Sequence, residues 1–318
     1  MKFGLVLVVL TACAFCASAE NYPARSIRLV VPQSPGGSTD QVARPLAKLL
    51  GDALGQAVVV DNRSGAGSVI GTDIVAKSAP DGYTLLVVAA SFTISPALYK
   101  QLPFDPERDF MPVTLLSAFP NVLVVNPSVT VSSVTELIKL SKANPGKLNY
   151  SSSGIGTGTH LSTELLKHLA GIDMVHVPYK GGAPSINALL AGEVQVTLAT
   201  ISTALPHVKS GRLRALAVTS RQRVSALPDV PTLDESGVKG YEYSSWIGLL
   251  APAKTPRAIV DKLAAESARA ARTPEMRAIL ALEGAEPIGS SPDEFAAQIR
   301  SELARWSKLV TAAGIKAD

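Results

Sequence analysis

Two patterns of hydrophobic and polar residues alternate along the first third of the chain. Short runs of valine, isoleucine and leucine alternate with longer segments in which apolar residues recur every three or four positions. The short runs are typical of buried strands, and the longer segments are typical of amphipathic helices. In chain order they predict a strand over residues 27–31, a helix over 39–54, a strand over 57–61, a helix over 68–77 and a strand over 83–89. This alternation indicates parallel βαβ units and therefore an α/β fold.

The alternation resumes after a proline-rich passage. Residues 95–112 are rich in proline, which disfavours regular structure, so we predict an irregular surface segment there. Ser133 and Glu136 have the spacing of a capping box, which predicts that a helix starts there. The pattern predicts strands over 121–126, 148–152, 174–179, 194–199 and 213–219, and helices over 134–143, 161–170, 184–191 and 203–210.

The last part of the chain is predicted to pack against the first group of strands and helices. Residues 241–250 are predicted to cross back, because the segments that follow are helical, over 256–272, 274–282 and 292–313. The predicted organisation is two doubly wound α/β lobes joined by two crossing strands. Lobe 1 comprises residues 20–120 with 246–318, and lobe 2 comprises residues 121–245. Two such crossings are two hinges, so the lobes can close over a ligand.

The first 19 residues have the features of a secretory signal peptide. Lys2 precedes an apolar core, and Ala17-Ser18-Ala19 before Glu20 is typical of a cleavage site. Cleavage after Ala19 would remove both cysteines, Cys13 and Cys16, and would exclude disulfides, cysteine nucleophiles and cysteine-ligated zinc. The residues before Cys13 also fit a lipoprotein-type cleavage pattern, which would leave the protein lipid-anchored.

Charge and hydropathy narrow the class of partner. The formal net charge of +4 falls by one, to +3, when Lys2 is removed, and the sequence contains no basic tract of the kind that binds nucleic acid. After the signal, no apolar run reaches the roughly 18 residues that a membrane span needs. About 300 residues are enough for two domains with substantial cores. We therefore expect a soluble, exported α/β protein that does not bind nucleic acid.

Two glycine-rich loops carry the candidate chemistry. Residues 151–160 read Ser-Ser-Ser-Gly-Ile-Gly-Thr-Gly-Thr-His between a short apolar stretch and an amphipathic segment, and residues 32–40 have the same arrangement. A tight turn between a strand and a helix leaves backbone N–H groups free, and the helix dipole adds about half a positive charge there. Such a site prefers a carboxylate or a phosphate without any Lys or Arg. Two of these loops indicate one ligand held from two sides.

The other motifs indicate neither a metal nor a cofactor. Residues 65–71 resemble a dinucleotide fingerprint, but the spacing is G-x-G-x-x-x-G and no acidic residue ends the next strand, so packing of the turn is the preferred interpretation. The four histidines, His160, His168, His176 and His207, do not fall at metal-ligand spacings. The chain also has no G-x-S-x-G elbow, which disfavours a hydrolase without excluding one.

A set of short motifs runs through the chain in a characteristic order. They are Tyr22-Pro23, Pro35-Gly36-Gly37-Ser38-Thr39-Asp40, Asp61-Asn62-Arg63-Ser64-Gly65-Ala66-Gly67, Ala79-Pro80-Asp81-Gly82-Tyr83-Thr84-Leu85, Leu102-Pro103-Phe104-Asp105-Pro106, Ser152-Ser153-Gly154-Ile155-Gly156-Thr157-Gly158-Thr159-His160-Leu161, Val175-His176-Val177-Pro178-Tyr179-Lys180-Gly181-Gly182, Leu213-Arg214-Ala215-Leu216-Ala217-Val218-Thr219 and Ala251-Pro252. The set resembles the Bug-type periplasmic solute receptors of tripartite tricarboxylate transporters. The match extends from about residue 22 to the end of the chain, and the secretory signal agrees with it.

The resemblance implies a type II periplasmic binding protein fold, a small organic carboxylate as ligand, and delivery of that ligand to membrane permease subunits. In such receptors, backbone groups and ordered water between the two glycine-rich loops hold one carboxylate. The corresponding residues are Gly36, Gly37, Ser38 and Thr39 in the first loop, and Ser152, Ser153, Gly154, Thr157, Gly158 and Thr159 in the second. More variable positions read the distal end of the ligand, and these correspond to Ser91, Phe92, Thr93 and the turn that begins at Thr200.

The sequence departs from the family pattern at two places. Gln33-Ser34 stands where an aromatic residue and an alanine commonly precede the Pro-Gly-Gly, and Thr200 stands where an acidic or amide residue is frequent. Loss of an aromatic side chain at Gln33 could admit a bulkier or more polar acid, so the identity of the ligand stays open.

These observations together predict a monomeric periplasmic receptor that binds a carboxylate by lobe closure, uses no cofactor or metal, and performs no chemistry. Two other classes of function stay open. The first is an exported hydrolase that uses a Ser or Thr of the second loop with His160 or His207 as base. The second is a ligand-sensing receptor that presents its bound form to a membrane kinase instead of a permease.

Overall fold

The structure is a computed structural model that describes residues 22–33, 35–36, 38–99, 101–179, 181–282, 284–313 and 315. The predicted signal peptide, its cleavage site and Cys13 lie outside the described residues, and so do Gly37 and Lys180. Within the described ranges, no helix has the combination of length and hydropathy that crossing a membrane requires.

Eleven strands and ten α-helices are assigned in the described ranges. The strands are β1 (Ile27–Val31), β2 (Val58–Asn62), β3 (Thr84–Ala89), β4 (Phe110–Phe119), β5 (Asn121–Val125), β6 (Asn149–Ser152), β7 (Val175–Pro178), β8 (Val196–Thr200), β9 (Arg214–Val218), β10 (Ser245–Pro252) and β11 (Glu286–Pro287). The helices are α1 (Ser38–Leu54), α2 (Val69–Ala76), α3 (Ser91–Leu98), α4 (Val134–Ala143), α5 (Gly158–Ala170), α6 (Gly182–Ala191), α7 (Ile201–Lys209), α8 (Arg257–Ala271), α9 (Pro274–Leu282) and α10 (Pro292–Ala313).

The first sheet has the strand order β11-β4-β10-β3-β1-β2. Strands β2, β1 and β3 are parallel, whereas β10 is antiparallel to both β3 and β4. Helices α1, α8 and α9 cover one face through a core that includes Leu46 and Leu263. Helices α2, α3 and α10 cover the other face around Phe92 and Phe295. Because both faces are covered, the central strands are largely buried and consist mainly of apolar residues.

The second sheet has the strand order β7-β6-β8-β5-β9. Strands β7, β6 and β8 are parallel, and β5 is antiparallel to β8 and β9. Helices α4 and α5 pack on one face around Leu137 and Leu161, and α6 and α7 pack on the other around Leu189 and Ile201. Each sheet is thus a doubly wound layer, and the predicted α/β fold class with two lobes is confirmed.

Two segments join the sheets, and they run side by side. Strand β4 ends at Phe119 and β5 begins at Asn121, so a single residue separates the two sheets. The return segment leads into β10, where Ser245 pairs with Phe119. The Tyr243 N–H donates to the Thr219 carbonyl at 2.8 Å, and the Asn121 N–H donates to Thr219 Oγ1 at 2.7 Å. These bonds tie both crossings together, whereas the predicted domain boundaries at residues 120 and 245 stay a prediction.

The passage predicted to be irregular contains two regular elements. Helix α3 includes Pro96, and β4 is a ten-residue strand that includes Pro112. Pro112 pairs with Leu250 next to a register shift in the β4–β10 ladder. A proline is tolerated there because an irregular ladder does not need its missing N–H. The prediction was therefore wrong for residues 95–98 and 110–112, and the irregular part among the described residues is residue 99 with residues 101–109.

Several predicted element ends also shift. Helix α5 begins at Gly158, three residues before the prediction, and α6 begins at Gly182, so Pro184 is the third helical residue and not the first. The capping box at α4 is present in part, because Ser133 Oγ accepts the Glu136 N–H at 3.2 Å while the Glu136 carboxylate bonds to Ser132.

Gly248 provides a test of the packing between the first sheet and α10. A Cβ added to Gly248 would overlap the aromatic ring of Phe295. We expect Gly248→Ala to lower the free energy of unfolding by about 1–3 kcal/mol, because overpacking forces side chains and backbone to shift. The measurement is urea-induced unfolding of the single variants and of Gly248→Ala/Phe295→Leu. The double variant should have a higher free energy of unfolding than the sum of the two single-variant changes predicts. If the two changes in the free energy of unfolding simply add, the close contact between Gly248 and Phe295 is contradicted.

Candidate functional site

A cavity of about 220 Å³ lies between the two sheets, at the ends of their parallel strands. Ligand sites of open α/β sheets lie at this edge because the helices that follow the strands begin there. One wall consists of Gln33, Thr39, Ala89, Ala90, Ser91, Phe119 and Ser245, and the other consists of Asn121, Ser153, Thr157, Gly158, Thr159, Thr200 and Tyr243.

A second cavity of about 230 Å³ adjoins the first on the side of the second lobe. The two cavities share Ser153, Thr159 and Thr200. The remaining lining residues of the second cavity are Gly182, Ser185, Leu198, Ala199, Ser202 and Thr203. The shared residues make the two spaces parts of one continuous cleft.

The first turns of five helices line this cleft. Thr39 belongs to α1, Ser91 to α3, Thr159 to α5, Ser185 to α6 and Thr203 to α7. Each helix start has N–H groups without an intrahelical acceptor and carries about half a positive charge from the helix dipole. None of the described residues that line the two cavities is Asp, Glu, Lys or Arg. The cleft is therefore positive through its backbone, and its lining side chains are mostly small hydroxyls and apolar groups.

Thr159 organises the second glycine-rich loop. Its Oγ1 accepts the Ser153 N–H at 2.9 Å and lies 2.8 Å from Ser153 Oγ and 3.1 Å from Thr157 Oγ1. Thr157 is the N-cap residue of α5, but its side chain does not cap the helix and donates to the Gly154 carbonyl at 2.7 Å instead. The loop is thus bonded internally, which leaves the first N–H groups of α5 facing the cleft.

Two stacked histidines support this loop from behind. The rings of His160 and His176 are nearly parallel, with centroids 4.0 Å apart. The Gly156 N–H donates to His160 Nδ1 at 3.0 Å, which makes His160 a neutral imidazole with its proton on Nε2. His176 Nε2 lies 2.6 Å from Ser152 Oγ. Gly156 has φ +73°, a left-handed conformation that favours glycine, so the histidine holds a turn that few other residues could adopt.

Burial governs the protonation of the histidine pair. Burial, the neighbouring His176 and the charge of Lys167 lower the pKa of His160 to about 3. Burial also lowers the pKa of His176, against a smaller opposing effect of Glu164. Glu164 Oε1, beside the ring stack, accepts the Tyr150 hydroxyl at 2.5 Å and the Lys167 ammonium at 2.9 Å. Both imidazoles are consequently neutral at physiological pH.

Asp40 organises the first glycine-rich loop. Its buried carboxylate accepts the Gly36 N–H at 2.8 Å, Arg44 Nε at 2.8 Å and Asn62 Nδ2 at 2.9 Å. Burial alone would raise the pKa of this carboxyl, but the three hydrogen bonds and the charge of Arg44 lower it below its usual value. The Gly36 N–H is therefore used within the protein, and the described residues of this loop that line the cavity are Gln33 and Thr39.

The structure brings seven of the predicted site residues to the inter-lobe cavity, namely Thr39, Ser91, Ser153, Thr157, Gly158, Thr159 and Thr200. Ser152 lies behind the loop and is fully buried, and the Gly154 N–H donates to its hydroxyl at 3.1 Å. Phe92 packs in the core of the first lobe against Phe104 and Phe110, and Thr93 donates to Glu302 at 2.8 Å. Gly37 and the side chain of Ser38 lie outside the described residues.

Three polar residues of the cavity wall were missed by sequence reasoning: Asn121, Tyr243 and Ser245. All three lie at the crossings between the sheets, in sequence segments without a glycine-rich loop or a helix-start motif. The available signal was their position beside a predicted hinge.

The described residues contain no cluster of His, Asp and Glu suited to a metal. Ser152 and His176 are in contact, but Ser152 has no solvent exposure and does not line either cavity. His207 contacts Arg212 at 2.7 Å, at the other end of α7. In the turn at residues 65–71, a Cβ on Gly71 would lie 2.6 Å from the Arg63 carbonyl and 2.8 Å from Pro32, which agrees with the packing interpretation.

Comparison with known proteins identifies relatives over nearly the whole chain. A family model described as "Tripartite tricarboxylate transporter family receptor" matches residues 42–315. Protein BugT of Bordetella pertussis is 39% identical over 313 residues, which cover 98% of this chain and 96% of BugT. A structure of R. palustris Rpa4515 with adipate is 39% identical with a TM-score of 0.80, covering 93% of this chain and 99% of that one. MatC from Rhodopseudomonas palustris with bound malate is 33% identical with a TM-score of 0.77, covering 91% and 100%.

The histidine pair generates a prediction about pH. In the unfolded chain His160 binds a proton below about pH 6.5, whereas in the folded chain it does so only near pH 3. Its contribution to the free energy of unfolding is therefore fully present above pH 6.5 and is lost as the pH falls from 6.5 towards 3. Urea unfolding at pH 7.5 and 4.5 should show that His160→Gln loses about 2 kcal/mol less than the wild type over this range.

The matched control is His168→Gln, because His168 is exposed on the last turn of the same helix. This variant should keep the wild-type difference between the two pH values. Equal losses in the wild type and in His160→Gln would contradict the buried, neutral state of His160.

Proposed function

The chain belongs to the receptor family of tripartite tricarboxylate transporters, and we propose that it captures a small organic carboxylate between its lobes and delivers it to the membrane subunits of such a transporter. The observation that carries this proposal is the convergence of five helix starts on a cleft whose described lining residues include no charged side chain. Backbone N–H groups in a site from which water is excluded bind an anion strongly, since their bonds to a carboxylate are charge-assisted and the local dielectric is low.

We further propose that the ligand is a dicarboxylate. Relatives at 39% and 33% identity were solved with adipate and malate, and both of these molecules carry two carboxylates. The inter-lobe cavity adjoins a second hydroxyl-lined space at Ser153, Thr159 and Thr200. One carboxylate would bind at the starts of α1 and α5, and the other would extend towards the starts of α6 and α7.

The proposed ligand contacts follow from this arrangement. Thr39, Ser153, Thr157, Gly158 and Thr159 would hold the first carboxylate, together with the backbone at Gly37 and Ser38. Ser91 and Thr200 would contact the middle or the distal end of the ligand. Gly36, Ser152 and Gly154 do not line either cavity, and their N–H or O–H groups bond within the protein, so they would act by shaping the two loops.

The proposal includes no chemical step. Among the hydrogen bonds of the described residues, the serine that contacts a histidine ring is Ser152, and it is buried away from both cavities. We propose that the receptor works in the periplasm as a monomer after cleavage at Ala19. A kinase-coupled sensor would use the same cleft, and capture by permease subunits or by a kinase ectodomain separates the two partners.

The proposed function is tested with the mature chain from Glu20, unfolded and refolded to remove any co-purified ligand. Thermal unfolding is measured with adipate, malate, citrate, benzoate, amino acids and nicotinamide. At a hundredfold excess over Kd, a true ligand adds about 2.7 kcal/mol, which raises the midpoint by several degrees. A shift with one or two carboxylates supports the proposal, whereas no shift with any acid, or a shift with nicotinamide alone, would overturn it.

Substitution of the loop hydroxyls tests the proposed site. Ser153→Ala/Thr159→Ala removes the network that holds the loop against the start of α5. We expect the affinity for the carboxylate to fall at least several-fold while the chain still folds, as measured by titration calorimetry and circular dichroism. Ser128→Ala/Thr135→Ala, which removes two exposed hydroxyls far from the cleft, is the matched control and should bind as the wild type does. Unchanged affinity of the loop variant would argue against this site.

A further inference from the structure

Tyr243 has a buried hydroxyl that no group among the described residues satisfies. The residue lies on the return crossing, two residues before β10 begins, and its side chain has no solvent exposure. Within the part of the chain that the structure describes, Tyr243 Oη has no hydrogen-bond partner. A buried hydroxyl without a partner is unfavourable, and such groups in folded proteins usually have a functional or solvent-related reason.

The hydroxyl is located at the start of helix α5. A Cβ added to Gly158, the first residue of α5, would overlap Tyr243 Oη. Tyr243 and Gly158 both line the inter-lobe cavity, where Thr157 and Thr159 also face. The phenol therefore reaches the helix start that is proposed to hold a carboxylate, and Gly158 is what allows it to come so close.

The position of the tyrosine is fixed by its surroundings. Its N–H donates to the Thr219 carbonyl at 2.8 Å, and its ring packs edge-on against Trp306 of α10 with centroids 5.8 Å apart. Arg305 of the same helix donates to the Glu242 carbonyl at 3.1 Å. A side chain held in this way is pre-organised, so a ligand would gain its hydrogen bond without ordering a free rotamer.

Tyr241 provides an internal comparison. It is also fully buried on the same crossing, but its hydroxyl donates to the Ser162 carbonyl in α5 at 2.7 Å. Two tyrosines of the same segment thus point at the same helix, and only Tyr241 completes a hydrogen bond to the protein. The difference indicates that the hydrogen-bond partner of the Tyr243 hydroxyl is a bound ligand.

We propose that Tyr243 is a ligand-contacting residue whose phenol O–H donates a hydrogen bond to the carboxylate held at the start of α5. The inference rests on the proposed function, to which it adds a third source of donors besides the two glycine-rich loops. Burial raises the pKa of Tyr243, and the nearby Ser245 side chain offsets part of that rise without reaching hydrogen-bond geometry. The phenol consequently stays protonated and acts as a donor at neutral pH.

The test compares Tyr243→Phe with the wild type in two measurements. Without ligand, the unfolding midpoint of Tyr243→Phe should be equal to or higher than that of the wild type, because the change removes an unsatisfied polar atom and keeps the ring. In calorimetric titrations with adipate, malate and the other acids of the panel, its Kd should be about tenfold higher or more, the usual loss for a hydrogen bond to a charged group. A merely structural tyrosine would not combine unchanged stability with weakened binding.

Tyr241→Phe is the matched control and should behave in the opposite way. Its unfolding midpoint without ligand should fall, since the hydrogen bond from the Tyr241 hydroxyl to the Ser162 carbonyl is lost, while its Kd should stay within about twofold of the wild type. Equal Kd values for the wild type and Tyr243→Phe would overturn the inference alone. A fall in the ligand-free midpoint of Tyr243→Phe to the level of Tyr241→Phe would also overturn it. Failure of the wild type to bind any acid would overturn the proposed function itself, which distinguishes the two failures.

Discussion

The hydrogen bond from the Ser153 N–H to Thr159 Oγ1 is the contact on which the rest of the proposed site depends. It closes the second glycine-rich loop onto the first turn of α5, and so determines the direction of the N–H groups that follow. The loop can take this shape because Gly154 and Gly156 have positive φ angles, which few other residues could adopt. The histidine stack behind it then holds Gly156 and Ser152 in place. Neutral hydrogen bonds therefore make this flexible, glycine-rich segment rigid.

A neutral lining has a consequence for recognition. A lysine ammonium in the cleft would be a strongly hydrated charge that has to lose water when the ligand binds. Helix starts provide a similar positive potential from fixed dipoles, which have little hydration to lose and little freedom to reorient. The same logic explains why Asp40 can lie beside the cleft. Arg44 neutralises the charge of the Asp40 carboxylate, and Asn62 and the Gly36 N–H donate hydrogen bonds to it. Asp40 therefore repels a bound carboxylate only weakly.

The sequence allowed the architecture and the two loops to be predicted, because both depend on local patterns. Continuous apolar runs reveal strands, and a glycine-rich turn with a hydroxyl reveals a helix start. The misassigned elements are those in which tertiary packing overrides local preference, as at Pro112, whose missing N–H is accommodated by an irregular ladder. The same limit applies to side chains. Phe92 follows the strand end that faces the cleft, yet its ring joins Phe104 and Phe110 in the core. Tyr243 and Asn121 reach the cavity from positions about 120 residues apart in sequence, and only the fold brings them together.

The crossings explain how ligand contact and lobe geometry can be linked. Asn121, Thr219 and Tyr243 form one hydrogen-bonded group at the point where both segments pass between the sheets. Asn121 and Tyr243 also line the cavity, so the hinge and the cavity wall share residues. A ligand that contacts Tyr243 would contact the same segment about which the lobes would rotate. No further residues would then be needed to couple ligand binding to the arrangement of the lobes. The binding energy would then favour whichever lobe arrangement brings the loops, the α5 start and the crossing to the same carboxylate.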